Sequence, residues 1–229
     1  MNLILLFALA VAPGLAIAFY IYERDKLDKE PMRLLVISFL LGAVSVIPAM
    51  VIEESAEFIG ILNTGEFLKS APYALMVGFT EELCKYSFLM IFAFPKKDFN
   101  EPFDGITYGV MVAMGFATLE NIFYVMFDQD EPYKTALFRM FSAVPAHACF
   151  GILMGYYIGL AKFKPFKSYT LKITAIVIAS LFHAAYDFFI LIHQIPSLSI
   201  GALVALAIAI RLSLKAIKIH HHNSPFFEE

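Results

Sequence analysis

Apolar residues run in blocks of about twenty along this chain, separated by short breaks that each hold Pro, Gly or several charges. A hydrocarbon core of about 30 Å needs roughly 20 residues of helix, so these blocks predict about seven spanning helices. They fall at about 3–22, 34–52, 71–94, 105–127, 139–161, 171–192 and 198–214. The breaks are "ERDKLDKEPMR", "EESAEFIGILNTGEFLKS", "PKKDFNEPFD", "DQDEPYK", "KFKPFKSY" and "HQIPSL", the composition expected where helices end. The first block has no basic n-region and is longer than a signal-peptide core, which makes it a retained helix. The expected fold is an all-α polytopic bundle, a single membrane-embedded domain over 1–229.

Composition agrees with this reading. Of 229 residues 60% are hydrophobic and 16% charged, against roughly half and a quarter in soluble domains. The net charge of −3 and the lack of a basic patch with interleaved aromatics leave no case for nucleic acid. Cys84 and Cys149 both lie in apolar segments and read as small buried hydrophobes. Lys and Arg set the orientation, because cytoplasmic loops carry their excess. Thirteen of the seventeen fall on one side of the seven-span scheme and three, Lys69, Lys134 and Arg139, on the other. This predicts an outside N-terminus and a cytoplasmic C-terminus. The last base, Lys85, lies inside a span.

Charge inside a span is expensive, about 2.5–3.5 kcal/mol on insertion scales, and usually faces the bundle interior. The spans contain Glu81, Glu82, Lys85, Glu120, His147, His183 and Asp187, drawn from the third to the sixth. Lys85 stands i+4 from Glu81 and i+3 from Glu82, and Asp187 stands i+4 from His183, so each set shares a helix face. At 1.5 Å per residue, both glutamates, Glu120, His147 and His183 come within roughly 5 Å of one level in the outer half of the bilayer. Asp187 lies about one turn nearer the outer surface.

Such a set suits hydrolysis. Glu120, His147 and His183 form a candidate ligand set for a divalent metal, most simply Zn2+. Glu81 or Glu82 is then the general base on water, with Lys85 pairing the other carboxylate. The i, i+4 spacing makes Glu81 the better neutralised and leaves Glu82 the freer. A metal-free version, with a glutamate activating water and histidines stabilising the oxyanion, uses the same residues. Two other readings stay open: a proton- or cation-coupled transporter using the same groups as a relay, and a non-catalytic membrane scaffold. No inverted repeat favours the transporter, although Gly109, Gly115, Gly151 and Gly155 allow close packing or kinks. Glu53, Glu54 and Glu57 read as solvated interfacial acids, with a substrate-contacting rim as the alternative, and His220 to His222 as part of a solvated polar tail.

In order along the chain, "EELCK", "FATLEN", "PAHACFG" and "HAAYD" resemble the motifs of the PrsW-type intramembrane proteases. They carry Glu81, Glu82 and Lys85, then Phe116, Glu120 and Asn121, then His147, then His183 and Asp187. The loop "YERDKLDKEPMRLL" is similar to that family's Asp- and Glu-Pro-containing first loop. The family is related to the type II CAAX prenyl proteases, whose motifs read EExxxR and FxxxH. Here the base is Lys85, one position nearer, and the second motif ends in Glu120, which favours the PrsW branch. The resemblance implies a bacterial plasma-membrane protease that makes the site-1 cut in a single-span anti-sigma factor, after which a second protease frees the sigma factor.

Overall fold

The computed structural model describes residues 2–58, 67–191 and 200–227. The side chains of Glu57 and Lys69, the break at 192–199 and the final two residues lie outside that description. Among the described residues the chain is helical throughout, without strands.

The helices are α1 (Leu3–Arg24), α2 (Met32–Val44), α3 (Val46–Phe58), α4 (Phe67–Phe88), α5 (Pro102–Phe127), α6 (Pro132–Phe141), α7 (Ala143–Phe163), α8 (Ser168–Leu191) and α9 (Ile200–His222). By length and composition six stretches can cross a membrane: Leu3–Arg24, Met32–Ala56, Pro102–Phe127, Pro132–Phe163, Pro165–Leu191 and Ile200–His222. The third expected span, 71–94, is also helical. It is α4 continued by a π turn over Leu89–Ala93, and three charges in its middle set it apart from the others.

Two prolines explain where the spans are jointed. A proline inside a helix lacks an N–H, and its ring clashes with the carbonyl four residues back. Pro48 therefore interrupts its span at Ser45, whose hydroxyl donates to Gly42 O at 2.6 Å. Pro145 breaks the next case at Ser142, so the expected span 139–161 starts instead as a separate short helix, α6, followed by α7. The last span also differs from its expected limits. It runs on as helix to His222, past the predicted end at 214, because apolar and small residues continue on its buried face through Ala216.

Central to the bundle is α5, buried at every residue from Phe103 to Thr118. It packs on α7 backbone to backbone. A Cβ added at Gly105 would meet Gly155 O at 2.4 Å, and one at Gly109 would meet Gly151 O at 2.7 Å. Glycines four apart on both helices allow this approach, where dispersion and close fit replace the hydrophobic driving force that lipid cannot supply. Gly78 does the same for α4 against α8, its Cβ position lying 2.9 Å from Ala184 N. That contact sets the acids of α4 beside His183. Large apolar side chains such as Ile4, Phe19, Ile91 and Phe127 point outward, while Glu82 and Lys85 are among the most buried residues. This inside-out distribution is what a lipid solvent selects.

Candidate active site

Four helices meet around Lys85. Its ammonium donates to Glu82 Oε1 at 2.7 Å, to Glu81 Oε2 at 3.1 Å and to His147 Nδ1 at 3.0 Å. The Nζ also sits 3.9 Å above the Phe116 ring, a cation–π contact from α5. An ammonium only donates, so Nδ1 of His147 carries the lone pair and Nε2 the proton. That Nε2–H points at Glu120 Oε2, 3.1 Å away.

His183 enters from α8. Its Nδ1 lies 3.0 Å from Glu82 Oε1, and its Nε2 lies 3.3 Å from Asp187 Oδ2 and 3.8 Å from Glu81 Oε2. The ring stacks on Phe150 at 4.8 Å between centroids and meets His147 edge-on at 5.0 Å. Two aromatic contacts and two carboxylates leave the imidazole little freedom to turn. Glu81, Glu82, Lys85, His147 and His183 are all buried, whereas Asp187 is partly exposed at the rim.

All seven residues singled out in the sequence thus come together, but the pairing within the group differs from expectation. Glu82, not Glu81, is the more tightly held: it takes the shorter bond from Lys85, also meets His183, and is wholly enclosed. Glu81 lines a cavity of about 1080 Å³ together with Glu53, Glu120, His147, His183 and Asp187. The i+4 partner lost to the i+3 partner because α8 presses His183 against the same Glu82 oxygen that Lys85 holds.

Two participants stand outside the candidate set read from the sequence. Arg139, counted among the loop bases, reaches in from α6 and donates through Nη2 to Glu120 Oε2 at 2.5 Å and through Nε to Asn121 Oδ1 at 2.9 Å. The available signal was Pro145, which predicts a joint at Ser142 and hence a separate helix that can turn Arg139 inward. Glu53 follows the alternative of a rim and not that of a solvated interfacial acid: it lines the cavity, and its Oε1 is buried without a hydrogen-bond partner. Glu54 at the same rim is exposed, as expected.

The two cysteines are free and buried. His220 is not part of a solvated tail: it is fully buried in α9, donates from Nε2 to Tyr156 O at 2.8 Å and stacks on Tyr156. A carbonyl only accepts, so Nε2 is the donor.

Glu81, Glu82, His147 and His183 each offer one donor atom within 4.8 Å of the others. Two imidazoles with two carboxylates form a donor set suited to zinc, and Glu82 Oε2 is buried with no hydrogen-bond partner. The donor set therefore suits a divalent metal, with the Lys85 ammonium, which otherwise donates to three of these four residues, displaced from it. Glu120, expected as a ligand, stands outside this donor group, claimed by Arg139 and His147.

Buried acid, imidazole and ammonium groups converging beside a cavity within a lipid-facing bundle make a candidate site for hydrolysis. The chain belongs to the PrsW family: residues 30–213 match the model of the PrsW family intramembrane metalloprotease. It is 40% identical over 179 residues to Protease PrsW of Bacillus subtilis (strain 168), covering 78% of this chain and 79% of that one. It is 34% identical to Protease PrsW of Geobacillus kaustophilus (strain HTA426) over 82% of this chain and 81% of that one. With Protease PrsW of Shouchella clausii (strain KSM-K16) the figures are 35%, 86% and 92%. No solved structure matches. The protein is a multi-pass bacterial membrane enzyme, an intramembrane protease. This family membership sets aside the transporter reading.

Proposed function

We propose that the protein cuts a single-span membrane protein near the extracytoplasmic face, as the site-1 cleavage of an anti-sigma factor. The carrying observation is the cavity, which extends from a charged rim of Asp128, Asp130, Glu131 and Lys134 down to Glu81. That rim is at the α5–α6 end of the bundle, the end that the distribution of Lys and Arg assigns to the outside. A substrate strand entering there can reach Glu81.

In this reading Glu81 takes the proton from the attacking water, as the one α4 carboxylate that faces the cavity. Lys85 holds Glu82 and Glu81 in register and balances their charge. Glu120 holds the proton of His147 on Nε2, with Arg139 fixing Glu120, so that Nδ1, which Lys85 meets in the absence of a metal, is the atom that would serve as ligand. Asp187 orients His183. Glu82, His147 and His183 would hold the metal, for which zinc is the best match to the donors. When bound, the ion supplies a Lewis acid at the scissile carbonyl.

The test is cleavage of a purified single-span substrate in proteoliposomes, with the cut mapped by mass spectrometry. Glu81→Ala, His147→Ala and His183→Ala should each abolish cleavage while the protein still accumulates in the membrane. Full activity in all three, or a cut on the cytoplasmic side, would overturn the proposal.

A further inference from the structure

A second group of acids lies at the opposite end of α5. Asp25 ends α1, Glu101 precedes α5, and Asp104 is in its first turn. Each offers a carboxylate oxygen within 4.8 Å of the other two. Asp104 and Glu120 are sixteen residues apart on one helix, about 24 Å at 1.5 Å per residue, so this group is separate from the active site.

The three side chains are at most 1% exposed. Part of each carboxylate is accounted for, that of Glu101 by the Ser224 hydroxyl. Asp104 Oδ2 accepts the backbone N–H groups of Asn100 and Glu101, both at 2.7 Å, and Asp25 Oδ2 accepts from Glu30 N at 3.4 Å and Thr107 Oγ1 at 3.5 Å. The remaining oxygens are not: Asp25 Oδ1, Glu101 Oε2 and Asp104 Oδ1 are buried with no hydrogen-bond partner. Glu30, held by the Tyr108 hydroxyl and within side-chain hydrogen-bond reach of Asp104, adds a fourth buried carboxyl.

Among the described residues no ion pair reaches any of these four acids. Lys162, the base that senses Glu30 and Asp104, spends its ammonium on the carbonyls of Phe94 and Lys96 at 2.6 and 2.8 Å. Burial pushes the carboxyls of Asp25 and Glu30 up to about 7. Buried charge of one sign without a partner is costly, so carboxyls in that position either hold a proton or coordinate a cation.

We propose that Asp25, Glu101 and Asp104 bind one hard divalent cation, of the Mg2+, Mn2+ or Ca2+ class, which clamps the first loop to the start of α5. Oxygen ligands of a single ion stand about 2.0–2.6 Å from it, so a pair is separated by roughly 5 Å at most, the spacing found here. All-carboxylate donors select hard ions and not zinc. The clamp joins α1, the loop into α2 and α5, and α5 carries Glu120 at its other end.

Mn2+ is the probe, read by the loss of its free electron paramagnetic resonance signal on adding full-length protein in nanodiscs. The His147→Ala/His183→Ala variant disables the active-site donors and should still bind one equivalent. Adding Asp104→Asn to it should weaken binding at least tenfold, and Asp25→Asn serves in its place if that chain does not accumulate. In the double histidine variant, chelator should lower the melting temperature and Mn2+ restore it, while the same variant carrying Asp104→Asn should not respond. No uptake by the double histidine variant would overturn the proposal. So would uptake unchanged by Asp104→Asn or Asp25→Asn.

Discussion

His183 Nδ1 meets Glu82 Oε1 at 3.0 Å, joining α8 to α4 across 101 residues of sequence. Lys85 holds the same oxygen from the other side. One carboxylate is thus fixed by two partners, and its neighbour Glu81 is left to face the cavity. The helix repeat alone does not choose between the adjacent glutamates; the position of α8 does.

This asymmetry predicts different outcomes for the two amides. Glu81→Gln should lower cleavage by about 10²–10⁴-fold, the usual worth of a positioned general base, with the melting temperature close to wild type. Glu82→Gln should lose activity and more stability than Glu81→Gln, since its fully buried carboxylate holds both Lys85 and His183. Proteoliposome cleavage and thermal melts of both variants read this directly. Equal melts for the two, or an active Glu81→Gln, would count against the assignment.

Arg139 and Glu120 should behave as a coupled pair. Arg139→Gln strands a mostly buried carboxylate, an effect of roughly 3–5 kcal/mol for a fully buried pair and less at 12–16% exposure. Adding Glu120→Gln should recover much of the stability without restoring cleavage. A double-mutant cycle of melting free energies checks it; additive losses would show that the two do not interact.

At Gly78 a Cβ would meet Ala184 N at 2.9 Å and Ser180 O at 3.1 Å, both backbone atoms of α8. Gly78→Ala should therefore push α4 from α8, with a stability loss of about 1–3 kcal/mol, the range for overpacking. Because Glu82 and His183 are the next contact along that seam, activity should fall further than stability predicts. Cleavage unchanged in Gly78→Ala would mean that the seam yields without disturbing the site.

His220→Ala should destabilise the bundle by about 0.5–1.5 kcal/mol for the lost bond to Tyr156 O, plus the lost ring stack. The metal content of the purified protein should not change. Metal lost along with His220 would contradict its role as a packing residue.

Much of this architecture could be read from the chain by itself. Blocks of about twenty apolar residues demand helices in lipid, where each backbone polar group must find its partner within the segment. Acids and histidines placed mid-block had to turn inward, and counting residues from the loop ends brought Glu81, Glu82, Glu120, His147 and His183 to one depth before any contact was known. The spacings that pair Lys85 with both glutamates and His183 with Asp187 are local, so helix periodicity sufficed for them.

Tertiary structure decided the rest. Which glutamate faces the cavity depends on where α8 packs. Arg139 joins the site only because Pro145 separates α6 from α7, and His220 is buried only because α9 lies along Tyr156. The three acids at Asp25, Glu101 and Asp104 come from stretches up to 79 residues apart and look like ordinary loop charges until α1 and α5 are packed. Periodicity and the cost of charge in lipid act within one helix or along one axis and are visible in sequence. Rotation and approach between helices depend on side-chain fit at many positions at once, and that information is spread over the whole fold.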